Sequence, residues 1–450
     1  MLSAKLVRLM LQKRQAGAPE AVRAQARRHI ADNLGISVAA VFASPIGAMV
    51  LKSQTAGGVT GACSVIGSSQ TLPPTLAAMT NSSLAHIMDY DDIHDIARIH
   101  PTSVTLHAAL AAAELVDAPG SAVVDGMIFG NELMCRLGLL LKPLGAGPGA
   151  DYFLSQTFGY LGACLSAGMV LGLNETQMIG AFGLAYMQMA GSKEPAFGIG
   201  ANSRAIYTGF AAMGGVQAAL LAQAGMIGPE SALDGKAGMF PLYIGMQPSA
   251  AELEELLDPN GFVWTGASVK PWPCCRSSHP YVSVALGLHK QVDPARIARI
   301  TVAVTAAGAR LCRPLEHRRR PATLADAKYS IPFVTAFCLV HGKLDLLCLD
   351  ESSLNDAAVL SMADRVDFTE TLTDAPGPAP AEIRIETHDG AVIGARLSDG
   401  LKLTDSEVRE KFLTCLTYSG IANPEAIWDR MQQIDQISAR QIVPALTNAS

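Results

Sequence analysis

Between Asn81 and Pro101 the chain reads NSSLAHIMDYDDIHDIARIHP. Asp89, Asp91, Asp92 and Asp95 crowd here with His86, His94 and His100. So many ionisable groups in an apolar neighbourhood are costly unless paired or hydrated. Three readings are open. A carboxylate beside an imidazole can hold the ring and tune it for general acid–base work. Asp91, His94 and His100 are also ligand types for a divalent metal. The third reading is a hydrogen-bonded loop without chemistry.

A second stretch, Lys270–Pro280 (KPWPCCRSSHP), sets Lys270, Arg276 and His279 around Cys274 and Cys275, stiffened by Pro271, Pro273 and Pro280. Arg grips a carboxylate with two prongs and Lys adds a compact charge, so an anion cradle is one reading. A structural linker is the other. Adjacent cysteines cannot easily share one zinc, and without a second pair an iron–sulfur cluster is not expected. A weaker patch is Ser203, Arg204, Tyr207 and Gly209, at a helix start where a bound anion would be welcome. Taken alone, a surface Arg and a packed Tyr is the plainer account. Gly198-Ile199-Gly200 lacks the third glycine and preceding strand of a dinucleotide fingerprint.

Helices must position most of these groups. Apolar periodicity predicts helices over Arg23–Val41, Leu76–Met88, Pro101–Leu115, Ser121–Leu141, Phe158–Leu171, Thr176–Met189 and Ser203–Ala224. Leu2, Leu6, Leu9 and Met10 give the N-terminus one apolar face. After about residue 266 the pattern changes. Ile297–Val304 alternates as a strand, and Ala381–Glu386 with Ala391–Leu397 form a hairpin across Asp389-Gly390. Helices are expected near Tyr281–Gln291 and Ser330–Leu339, then Thr404–Leu416 and Pro424–Ile434 in the tail.

With 450 residues the chain exceeds one ordinary core. Hydrophobic residues make up 49% and charged ones 16%, so much of it must be buried. No uninterrupted apolar run reaches the roughly 20 residues of a membrane span. The net charge is −6 and no basic stripe with aromatic partners suggests nucleic acid. The one dense basic run, His317-Arg318-Arg319-Arg320, reads as a solvated loop. Nine cysteines without paired spacing suggest reduced thiols, hence a cytoplasmic location.

At these residues the chain resembles the MmgE/PrpD family, which includes 2-methylcitrate dehydratases, cis-aconitate decarboxylases and an iminodisuccinate epimerase. Asn81, His86, Asp89, Tyr90, Asp91, Asp92, His100 and Pro101 match one long motif; Lys270, Trp272, Pro273, Cys275 and His279 match another. The resemblance implies a mainly α fold: an all-helical domain from both chain ends (1–266 with 404–450) and a smaller α+β lid (267–403). It also implies a homodimer and an active site between the domains, with no metal or other cofactor. Asp89, His100, Lys270 and His279 fall on catalytic positions, with Arg98, Arg204, Tyr207, Arg276 and Tyr329 as substrate-binding candidates. His100 is expected as base or acid, Asp89 as its tuner and His279 as a second acid–base group. Ile93, Phe153 and Arg204 replace a family Thr, His and Lys. These changes remove an imidazole and a hydroxyl, and they point away from cis-aconitate decarboxylation to a different substrate or one with a larger apolar part. The expected reaction is proton abstraction next to a carboxylate, with dehydration of a citrate-like acid favoured. Epimerisation, decarboxylation and an inactive polycarboxylate-binding role are the alternatives.

Overall fold

The computed structural model describes residues 1–141, 149–198, 201–397 and 401–446. It is mainly α-helical with a small sheet. The apolar side chains gather into two clusters. The larger takes in helices Leu2–Ala16, Glu20–Ala43, Pro74–His86, Thr102–Val116, Gly120–Leu141, Gly159–Val170, Glu175–Tyr186 and Tyr207–Gln223. Leu2, Leu6, Leu9 and Met10 are buried in it, as their spacing predicts.

Small residues let these helices approach closely. A Cβ on Gly209 would stand 2.2 Å from Ser83 Oγ and 2.6 Å from the Met79 carbonyl oxygen. One on Gly215 would meet Ala163 Cβ at 2.4 Å. The first contact seats helix Tyr207–Gln223 directly on helix Pro74–His86, the helix that leads into the Asp/His stretch.

The chain end returns to this cluster. Helices Asp405–Tyr418 and Pro424–Gln432 pack on Glu20–Ala43. Lys411 Nζ lies 2.8 Å from Asp32 Oδ1 and donates to the Tyr90 carbonyl at 2.8 Å, so the tail braces the Asp/His stretch from behind.

The second cluster forms around a four-stranded sheet. Ile297–Val304 runs parallel to Val366–Glu370 on one side and antiparallel to Ala381–Thr387 on the other; Val392–Leu397 completes the hairpin. Gly390, at φ 85°, supplies the left-handed residue of its turn. Ala381, Ile383 and Ile385 alternate inward, packing with helices His279–His289 and Ile331–His341. The edge strand Val366–Glu370 escapes a reading by alternation because its last two residues are exposed.

One expectation needs correction. His317–Arg320 is not a solvated loop: Leu315–Arg319 is helical and Arg318 is buried. Arg318 donates to the carbonyls of Arg313 and Tyr329, Arg319 to Val366 O and Asp367, and Arg320 to Asp364. The run ties its helix to the sheet edge. Helical stretch Ser203–Gln223 is long and apolar enough to cross a bilayer, although Arg204, Thr208 and Gln217 interrupt its apolar run. Two-thirds of it is buried inside the large cluster. The nine cysteines are all free thiols.

Candidate active site

The Asp/His stretch turns twice through the left-handed region. Asp89 has φ 51° and Arg98 φ 53°, conformations that non-glycine residues adopt at a cost of about 1–3 kcal/mol each. The first turn closes with Asp89 N donating to His86 O at 2.8 Å, the second with Arg98 N donating to His94 O at 2.7 Å. His100 N then donates to Ser155 Oγ at 2.8 Å, and Pro101 opens the next helix. Both strained residues face one cavity of about 200 Å³, lined from the helical cluster and from the sheet side.

His100 is the one imidazole lining that cavity among the described residues. Its Nδ1 stands 3.4 Å from Asp91 Oδ1. His86 Nδ1 donates to the same carboxylate at 2.9 Å, and the two rings meet edge to face at 5.0 Å. Burial of Asp91 alone would raise its pKa, but the two imidazoles more than offset this and hold it well below the usual range. Asp91 is therefore a lasting anion able to orient a histidine and support its protonated form.

Behind this cluster, Lys270 is fully buried and pairs with the Asp89 carboxylate; its Nζ also donates to the Asp89 carbonyl at 2.9 Å. Burial pushes Asp89 up, yet Lys270, His100 and His86 bring it down to about 2. Asp89 Oδ2 is buried without a hydrogen-bond partner among the described residues. Such an orphan in a cavity wall is a natural contact for a ligand donor.

Asp89, Arg98, His100, Tyr207, Arg276 and Tyr329 all line the cavity. Lys270, His279 and Arg204 do not. His279 Nε2 donates to Cys274 O at 3.1 Å. Burial first, then Arg276 and Lys270, push its pKa well below the usual value, leaving a neutral ring with a structural bond. Arg204 donates to Ala325 O and lies over the Tyr329 ring. Arg276 grips Asp95 through two bonds of 2.7 and 2.8 Å, so part of its charge is already used.

The other acids and histidines of the stretch have separate partners. Asp92 accepts from His29 at 2.8 Å and Thr102 at 2.7 Å. His94 Nε2 faces the Val263 carbonyl at 3.1 Å, which takes it out of a ligand set with Asp91 and His100. The set that geometry assembles is His86, Asp89, Asp91 and His100, with one ligand atom from each within 4.8 Å of the others. The Lys270 ammonium on Asp89 opposes a second cation there.

Ser155, Tyr152, Asp374 and Lys193 also line the cavity. No sequence motif marks Lys193. It stands in a turn with no spacing to flag it, and only the fold brings it beside Arg98. Burial, with Arg98 and Arg310 nearby, lowers its pKa to about 8. Phe153 stacks on Tyr207 with centroids 4.5 Å apart, so the wall here is aromatic where the family motif has an imidazole.

A helical protein with a smaller α+β part, sharing a cavity walled by a histidine–carboxylate cluster, is the class these features define. Residues 4–251 match the MmgE/PrpD N-terminal domain and residues 272–435 the MmgE/PrpD C-terminal domain. The chain belongs to the MmgE/PrpD family. It is 26% identical to a cis-aconitate decarboxylase of Aspergillus terreus over 405 residues, covering 84% of this chain and 80% of the relative. It is 28% identical over 384 residues to a cis-aconitate decarboxylase-like protein of Aspergillus oryzae, covering 78% and 77%. A human cis-aconitate decarboxylase is 26% identical over 384 residues, covering 81% and 76%.

Proposed function

We propose that this chain is a lyase that moves a proton at the carbon next to a carboxylate of a citrate-like di- or tricarboxylate. The observation that carries this is His100, the cavity's imidazole, with Asp91 at its Nδ1. That contact leaves Nε2 to take the proton. Abstraction builds an enolate-like dianion, which needs nearby positive charge. Arg98, Arg276 and Lys193 in the wall supply it.

Dehydration is the favoured outcome. With one imidazole in the wall, His100 both removes the proton from carbon and returns it to the departing hydroxyl as water, on one face of the substrate. His279, bonded to Cys274 O, is not needed for this route. Ile93, Phe153 and Leu154 suit an acid with an apolar arm. Decarboxylation is the second reading, favoured by the names of the relatives. There, CO2 leaves and His100 delivers the proton to carbon. The expected assembly is a homodimer, and the partner a small polycarboxylate.

Incubation with citrate, 2-methylcitrate and cis-aconitate in deuterated water, following alkene absorbance, CO2 and carbon-bound deuterium, separates the readings. New alkene without CO2 supports dehydration. CO2 release replaces it with decarboxylation. Deuterium incorporation alone replaces both with an isomerase.

A further inference from the structure

Two cations in the cavity wall, Arg98 and Lys193, are not paired with a carboxylate, although Asp374 and Asp95 lie near enough to Arg98 to act on its charge. Among the described residues the Arg98 guanidinium makes no hydrogen bond or ion pair, and Lys193 makes no ion pair, its Nζ donating only to Ala150 O at 2.5 Å. Both are half-buried. Each is held by its backbone: Arg98 in the left-handed region, and Lys193 on a turn where its N donates to Asp151 O at 2.9 Å. Neighbouring like charges of this kind repel and are stabilised when an anion joins them. The other cations of the site are committed elsewhere, Arg276 to Asp95, Lys270 to Asp89 and Arg204 to Ala325 O.

We propose that Arg98 and Lys193 form the clamp that holds one carboxylate of the substrate, and so determine which acids the cavity accepts. This rests on the reading of the cavity as a polycarboxylate site. It moves recognition from the helix-start position of Arg204 to the opposing turn at residues 191–193. The groups that act on Lys193 are Arg98, Arg310 with its Asp151 partner at 3.6 Å, and Cys275. Burial first, and then these charges, bring the Lys193 pKa down to about 8, so the clamp carries both charges below that pH and one above it. Lys328, buried nearer Asp89, is also lowered to about 8, so the test must separate the two lysines.

The test is calorimetric titration with tricarballylate, a saturated tricarboxylate that has no hydroxyl to lose, at about pH 7 and about pH 9. Wild type is expected to bind about tenfold more weakly at the higher pH. Lys193→Met binds at least tenfold more weakly at pH 7 and loses the pH dependence. Lys193→Arg keeps the affinity at both pH values, because guanidinium stays charged. Should Lys193→Met not fold, the arginine variant alone decides, through its missing pH dependence. Lys193→Met binding within twofold of wild type at pH 7 overturns the clamp. So does Lys193→Arg weakening as wild type does, or a wild type that shows no saturable binding. Binding needs no turnover, so the clamp stands or falls separately from the lyase reaction.

Discussion

Lys270 and Asp89 form a pair in which one buried ammonium holds both the carboxylate and the main-chain carbonyl of a residue at φ 51°. The pair fixes the first turn of the Asp/His stretch and links it to the Pro-rich segment at the start of the sheet half. Both charges are out of water, so each depends on the other.

Lys270→Met is expected to lower stability by about 3–5 kcal/mol, because it leaves a buried carboxylate unpaired. The double variant Lys270→Met, Asp89→Asn should lose less than Lys270→Met alone; urea denaturation measures both. The sign of the pH effect follows from the depressed Asp89 pKa. Its stabilisation is complete above the unfolded value of about 4 and is lost as pH falls toward about 2. Asp89→Asn should flatten the acid limb in that window.

Asp91→Asn removes the anion shared by His86 and His100. The expected result is a fall in kcat of about 100-fold or more, with a much smaller change in KM, as the loss of a group orienting an acid–base residue predicts. Steady-state kinetics on the substrate found by product analysis checks this. A larger effect on KM than on kcat would assign Asp91 to substrate binding.

Phe153→His restores an imidazole where this chain has an aromatic wall stacked on Tyr207. Relative kcat/KM should shift by about 10-fold or more from acids with an apolar arm toward cis-aconitate. A competition assay with paired substrates reads the ratio; an unchanged ratio would remove Phe153 from specificity.

Gly209→Ala places a methyl against Ser83 Oγ and the Met79 carbonyl, where backbone must give. A loss of about 1–3 kcal/mol is expected from overpacking. Thermal denaturation checks the loss, and a melting temperature equal to wild type would mean that the two helices separate freely.

Much of this arrangement was legible in the residues. The helices of the large cluster and the hairpin across Asp389-Gly390 follow from periodicity and turn chemistry. Asp89 and His100 stand out because acids and imidazoles are rare in apolar surroundings. What spacing could not give was direction. His94 lies between Asp91 and His100 in sequence yet turns to Val263 O, and Asp92 turns to His29, some sixty residues earlier. Arg318 reads as solvated, but the Arg313 carbonyl just before its short helix and the Tyr329 carbonyl beyond it draw it inward. Lys193 became visible only when the chain folded its turn against Asp151 and placed it beside Arg98.

The central claim is that His100 moves the proton at carbon. Deuterium incorporation or its equivalent turnover should be measured for wild type and His100→Ala on the same substrate, with circular dichroism confirming the fold. The account predicts a loss of at least about 100-fold in His100→Ala at comparable substrate affinity. Equal rates in the two proteins would contradict it.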